Sequence, residues 1–132
     1  MTCYNSELPI GPPGPTGPQG PQGPALPYKV YTALLNQSSN NPPTAIELEN
    51  TIGDITFSYT NIGEYIINSS NEFVTLKTWF LITNSGDGGF GGELITLYYI
   101  NSSTLRINTG DTSGNGLNSI LLNTPIEIRV YP

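Results

Sequence analysis

The chain has 132 residues, which suits one compact domain with a short appendage, and ten acidic against four basic residues give a net charge of −6. That balance supplies no basic stripe for phosphates and repels acidic lipids, so it argues against nucleic acid and against docking on an anionic membrane. Histidine is absent and Cys3 is the only cysteine, which removes the commonest general base and metal ligand and excludes a disulfide framework.

Residues 1–10 carry no basic start and no apolar run, so they do not read as a secretory signal. No stretch approaches the roughly 18 apolar residues of a membrane span, and membrane insertion is not expected. The segment is too short to fold alone. Its Cys3, Tyr4, Leu8 and Ile10 suit an extended docking peptide, and they are the candidate particle-anchoring residues.

Residues 11–25 read GPP GPT GPQ GPQ GPA. Gly11, Gly14, Gly17, Gly20 and Gly23 keep strict period three, and proline fills every position after them. Three polyproline II chains wind together only where every third residue lacks a side chain, because that residue faces the crowded axis. The prolines pre-set φ and lower the entropy of the unwound chain. A monomeric Pro-rich spacer would not need the glycines. The expectation is a collagen-like triple helix, about 45 Å long at ~3.1 Å per residue, with Pro27 closing a stalk of residues 11–27. Five triplets hold weakly alone, so a homotrimer must draw most of its stability from the domain behind the stalk.

From Tyr28 to Pro132 the pattern changes to period two. Ile55, Phe57 and Tyr59 alternate with polar residues, as do Ile126, Ile128 and Val130. Val74, Leu76, Thr78, Phe80 and Ile82 fit one face of a longer strand, and Leu94, Thr96, Tyr98 and Ile100 oppose Ile95, Leu97 and Tyr99. Such alternation marks half-buried strands. Strands are predicted over 28–35, 44–49, 54–60, 63–68, 72–83, 93–101, 104–108, 118–122 and 125–131, with turns rich in Asn and Gly between them. Residues 44–50 (TAIELEN) are compatible with a helical turn as well. The fold class is therefore all-β, a jelly-roll-like sandwich of residues 28–132 behind the stalk.

Residues that could carry chemistry are few. No glycine-rich stretch matches a phosphate loop. Residues 111–116 (DTSGNG) offer oxygen ligands but lack the spaced carboxylates and closing Glu of a calcium loop, so a hairpin is expected there. Glu47 and Glu49 would point the same way on a strand, an exposed face rather than a glycosidase pair. Serine and threonine nucleophiles have no base beside them. Catalysis, metal and cofactors are thus not expected. Trp79, Tyr98 and Tyr99 are the candidate glycan or interface contacts, with Tyr59 and Tyr65 as further aromatics, and core packing is the alternative use of all five.

The segments YKVYTALLNQS (28–38), PPTAIELENTIG (42–53), ITFSY (55–59) and GEY (63–65) resemble a cap segment that recurs in proteins of tailed bacteriophages infecting Bacteroidetes-type hosts. That resemblance implies a collagen-stalked head or tail fibre at the virion surface, aiding attachment to host glycans. The GPT and GPQ triplets are also similar to spore-surface filament proteins of bacilli, which end in a trimeric jelly roll like that of the complement and tumour-necrosis-factor superfamily. This second resemblance implies an adhesive filament tip on a spore or cell. Either way the implied partners are two further copies of the chain, a capsid, tail or other surface-scaffold protein bound through residues 1–10, and surface glycans.

Overall fold

The computed structural model describes residues 9–83 and 93–132. Residues 9–28 run without regular secondary structure and lead into eight strands. These are β1 (Lys29–Asn36), β2 (Thr44–Asn50), β3 (Thr56–Asn61), β4 (Glu64–Asn68), β5 (Thr78–Ile82), β6 (Glu93–Asn101), β7 (Thr104–Asp111) and β8 (Thr124–Val130). All pairings are antiparallel. They form two four-stranded sheets, ordered β2-β1-β8-β5 and β3-β4-β7-β6. There is no helix among the described residues, so TAIELEN is a strand and not a helical turn.

Period-two patterning decides what faces inward. Tyr31, Ala33 and Leu35 of β1 and Ile126, Ile128 and Val130 of β8 are buried, as are Tyr65 and Ile67 of β4 and Leu105 and Ile107 of β7. The inner faces of both sheets meet in one apolar core, which Ile52, Phe73 and Leu121 complete from the connections. The four central strands thus supply the fully buried residues. Edge strands contribute partly buried ones, including Phe57, Phe80, Ile95, Leu97 and Tyr99.

The first and last strands are zipped together in the middle of one sheet, with Lys29 opposite Val130 and Leu35 opposite Thr124. Chain entry and chain exit therefore lie at the same end of the head. The Asn40, Gly63 and Gly114 turns belong to the opposite end, because they follow or precede the far ends of β1, β3–β4 and β7.

Several boundaries differ from those read in the sequence. The stretch 72–83 is a strand only from Thr78 to Ile82. Before it, the Thr78 hydroxyl accepts from the Val74 amide and donates to the Val74 carbonyl, Lys77 N–H reaches the same carbonyl, and Leu76 takes φ 62°. These bonds close a turn, so Val74 and Leu76 are exposed instead of continuing the inner face. Residues 118–122 are not a strand, since Ser119 (φ 62°) sits in the left-handed region and Leu121 plugs the core from a loop. Conversely β7 runs on to Asp111 because Thr109 and Gly110 find partners in Ile95 and Leu94. The glycine-rich loop expected at 84–92 lies outside the described residues.

Two glycines are fixed by close approach. Gly63 has φ 69°, and a Cβ there would fall 2.2 Å from the Thr109 carbonyl oxygen; at Gly116 it would fall 2.4 Å from the Ile62 carbonyl oxygen. The β3–β4 turn and the 111–117 turn therefore press together backbone to backbone, which only glycine allows.

Truncating Ile128 to Ala should cost about 3 kcal/mol in chemical denaturation, because it empties a fully buried site between both sheets. A second expectation concerns alkaline pH. Burial, aided by the Glu47 charge, pushes the Tyr31 hydroxyl up to about 12. The unfolded chain releases that proton near pH 10, so it binds fewer protons than the folded chain between pH 10 and 12. Stability must then fall as pH rises through this window, by up to ~1.4 kcal/mol per unit. Urea titrations should show a shallower alkaline loss for Tyr31→Phe.

Candidate assembly surface

The stalk glycines are informative because of what surrounds them. A Cβ built on Gly11, Gly14, Gly17, Gly20 or Gly23 meets nothing within 4 Å, and none of the five has a left-handed φ. Within a single chain, neither space nor backbone conformation calls for glycine at these positions. Ile10 before them is 99% exposed; Cys3, Tyr4 and Leu8 lie outside the described residues.

Where the stalk meets the head, the Tyr28 ring packs on Tyr131 at 5.2 Å between centroids. The Arg129 guanidinium lies 4.9 Å from the Tyr28 ring and 5.0 Å from the Trp79 ring, so it is stacked between them. Its Nε also donates to the Glu127 carboxylate. Hydrogen bonds to Tyr131 and Glu127 hold this guanidinium above its ordinary pKa and so fully charged. Beside the stack is an open groove of about 670 Å³, lined by Leu26, Pro27, Tyr28, Val74 and Tyr131 among others. Leu76, next to that groove in sequence, is 100% exposed while held at positive φ.

The outward face of the β2-β1-β8-β5 sheet continues from this junction. An ordinary solvated face would alternate to polar residues. Here Ile46 (55% exposed), Leu48 (63%) and Leu81 (47%) stand out from it. Leu34 and Pro125 join Leu48 and Leu81 around a shallow groove of about 300 Å³. A β-bulge in β2 adds to the effect. Glu47 lies opposite Ala33 and Glu49 opposite Thr32, with the register shift between them, so Leu48 is the extra residue. The two glutamates accordingly do not share a face, contrary to the plain alternation expected from the sequence.

The outward face of the other sheet is mostly polar on β3 and β4, where Thr56, Ser58, Thr60, Glu64 and Asn68 point out. Only its β6 edge is apolar, with Leu94, Tyr98 and Ile100 exposed. Arg106 lies 5.6 Å from the Tyr98 ring centroid, and Arg106 Nε and Asn108 Oδ1 are buried with no hydrogen-bond partner among the described residues.

The structure does not bring the three candidate contact aromatics together. Trp79 is outward on the first sheet, Tyr98 is outward on the second, and Tyr99 turns to the core with its hydroxyl against Thr75. Asp111 is used by its own turn: it accepts from the Ser113 and Asn115 amides and from Asn115 Nδ2, and these bonds hold its carboxyl below the usual range. Among the described residues, no group of three or more Cys, Asp or Glu is placed to hold a metal ion.

Sequence reasoning missed the apolar outward face, although a signal was there. TWFLI in β5 and LITLYYI in β6 place apolar residues at successive positions, so each strand shows an apolar side outward as well as inward.

The far end of the head is pinned by a polar network. The buried Gln37 side chain donates to the Ser39 and Asn41 carbonyls and accepts from Ser119 N–H and the Tyr65 hydroxyl. Asn118 extends the network to Tyr65, Gly63, Asn40 and Tyr59. Each hydrogen-bonding site of the Gln37 amide is used, which fixes the 38–41 turn against the 117–119 loop. Gln37→Leu should cost about 2–3 kcal/mol by leaving these groups unpaired, and hydrogen exchange should speed up first at Ser39, Asn41 and Ser119.

No protein-family model, no curated protein sequence and no solved structure matches this chain.

Proposed function

We propose that this protein is a virion structural protein, a homotrimeric fibre that projects from a phage head or tail. Residues 1–10 anchor it to a capsid, tail or other scaffold protein. Residues 11–27 are a triple-helical stalk, and residues 28–132 a trimeric jelly-roll head. The observation that carries this reading is the row of five glycines with open space around them in the single chain. Nothing within the single chain accounts for glycine at every third position, and a period of three with proline after each glycine fits packing against two further copies of the same segment.

The sheet orders support the jelly-roll assignment, since the outermost strands in sequence pair at the centre of one sheet and β4 pairs with the distant β7 in the other. The far-end turns are then the surface presented to a host. Three copies on one stalk would multiply weak contacts to surface glycans. A structural rather than catalytic role is supported by the lack of histidine and by the separation of Glu47 from Glu49.

The test is the mass of the full chain in solution by light scattering. Three times the 14.2 kDa chain mass is expected; a folded, single-chain species would end the fibre reading. In the trimer, Gly17→Ala puts three methyl groups at the axis. It should abolish the collagen-type circular-dichroism signal at a temperature where the parent retains it, while the melting of the β head stays unchanged.

A further inference from the structure

A fibre of this kind carries three heads on one stalk, and the short link between stalk and head limits how they can meet. The last triplet ends at Ala25, and three residues, Leu26, Pro27 and Tyr28, separate it from the first residue of β1. An extended chain covers at most ~3.6 Å per residue, and Ala25 to Lys29 is four steps, so three β1 strands must start within about 14 Å of the stalk. The sheet that contains β1 is thus the one held near the axis. Its inner face is already packed on the other sheet. What remains to face the axis is its outward face, and that is the face on which Ile46, Leu48, Trp79 and Leu81 are exposed.

We propose that the outward face of the β2-β1-β8-β5 sheet is turned towards the three-fold axis and covered by second copies of this chain. A three-fold ring is heterologous: one patch must fit a different patch on the next subunit. The head carries a second apolar patch of the right kind. β6 lies beside β5 at the edge of the other sheet, and Leu94, Tyr98 and Ile100 are exposed along its outward side. The β5–β6 edge of one copy therefore seats on the β1–β2 half of the face of the next, where Leu34, Ile46 and Leu48 wait. Buried in this way, Arg129 and Glu127 keep partners, because Arg129 is stacked between aromatic rings and paired with Glu127, while Glu49 lines the open groove at the stalk junction. The polar outward face of β3 and β4 stays in water.

This inference rests on the trimer reading, and the experiment separates the two. The double variant Ile46→Asp/Leu48→Asp alters side chains that are exposed in the single chain, so its head should keep the parent's far-ultraviolet spectrum. It should dissociate to single chains at concentrations where the parent is trimeric. Thr56→Asp/Thr60→Asp on the other sheet should remain trimeric. An independent measurement does not depend on the variant's stability. In a Cys3→Ser background, Leu48→Cys should react with a maleimide at least roughly tenfold more slowly in the intact trimer than Thr56→Cys does, although both positions are exposed in the single chain. A trimer in which the two cysteines react at the same rate overturns the face assignment and leaves the trimer standing. A monomeric parent overturns the fibre reading and this inference with it.

Discussion

The pairing of β1 with β8 is the constraint on which the head depends. Seven residue pairs, Lys29–Val130 to Leu35–Thr124, join segments nearly a hundred residues apart. Every other feature is arranged around that ladder. β2 and β5 can only flank it, and the core forms where its inward side chains, Tyr31, Ala33, Ile126 and Ile128, meet those of β4 and β7. Contacts this distant in sequence are slow to form, since loop closure is unfavourable before any packing offsets it. The same ladder brings Tyr28, Arg129 and Tyr131 together beside the stalk. The junction is thus a by-product of the strand order and not a separate element.

The two halves of the molecule are specified by opposite uses of side chains. In the head, inward positions are filled and close-packed. In the stalk, every third position lacks a side chain, which the proposed triple helix would use as room for neighbouring chains. The proposed trimer joins these two statements: the stalk brings the chains near one axis, and the apolar outward face supplies the contact area that five triplets lack.

Much of the head is legible in the sequence because its strands alternate. Period two assigns Phe57, Tyr59, Ile126 and Ile128 to inward faces, and the structure puts them there; for β6 it separates two faces without choosing, and the structure turns Ile95, Leu97 and Tyr99 inward. Legibility fails where a hydrogen bond outweighs the pattern. Val74 and Leu76 fit the inner face of β5 in the sequence, yet the Thr78 hydroxyl bonds close a turn before the strand begins. Leu121 has the pattern of a strand residue and is instead a core plug held by a loop, because the Gln37 side chain claims the Ser119 amide. The bulge at Leu48 is invisible for a different reason: one added residue changes which face comes next without changing composition. The assembly surface is readable only in retrospect, as runs of apolar residues too continuous for a half-solvated strand.

The central place of β8 also decides the geometry of fusion. A peptide appended after Pro132 would leave the head beside the stalk, where Tyr131 packs on Tyr28. In the proposed fibre it would sit at the shaft. Cargo meant for display at the outer tip has to be inserted within the chain, and the exposed Ser38–Asn41 and Thr112–Asn115 turns open in that direction. Both turns are held by a side chain, the first by Gln37 and the second by Asp111, so an insert in either must spare those bonds.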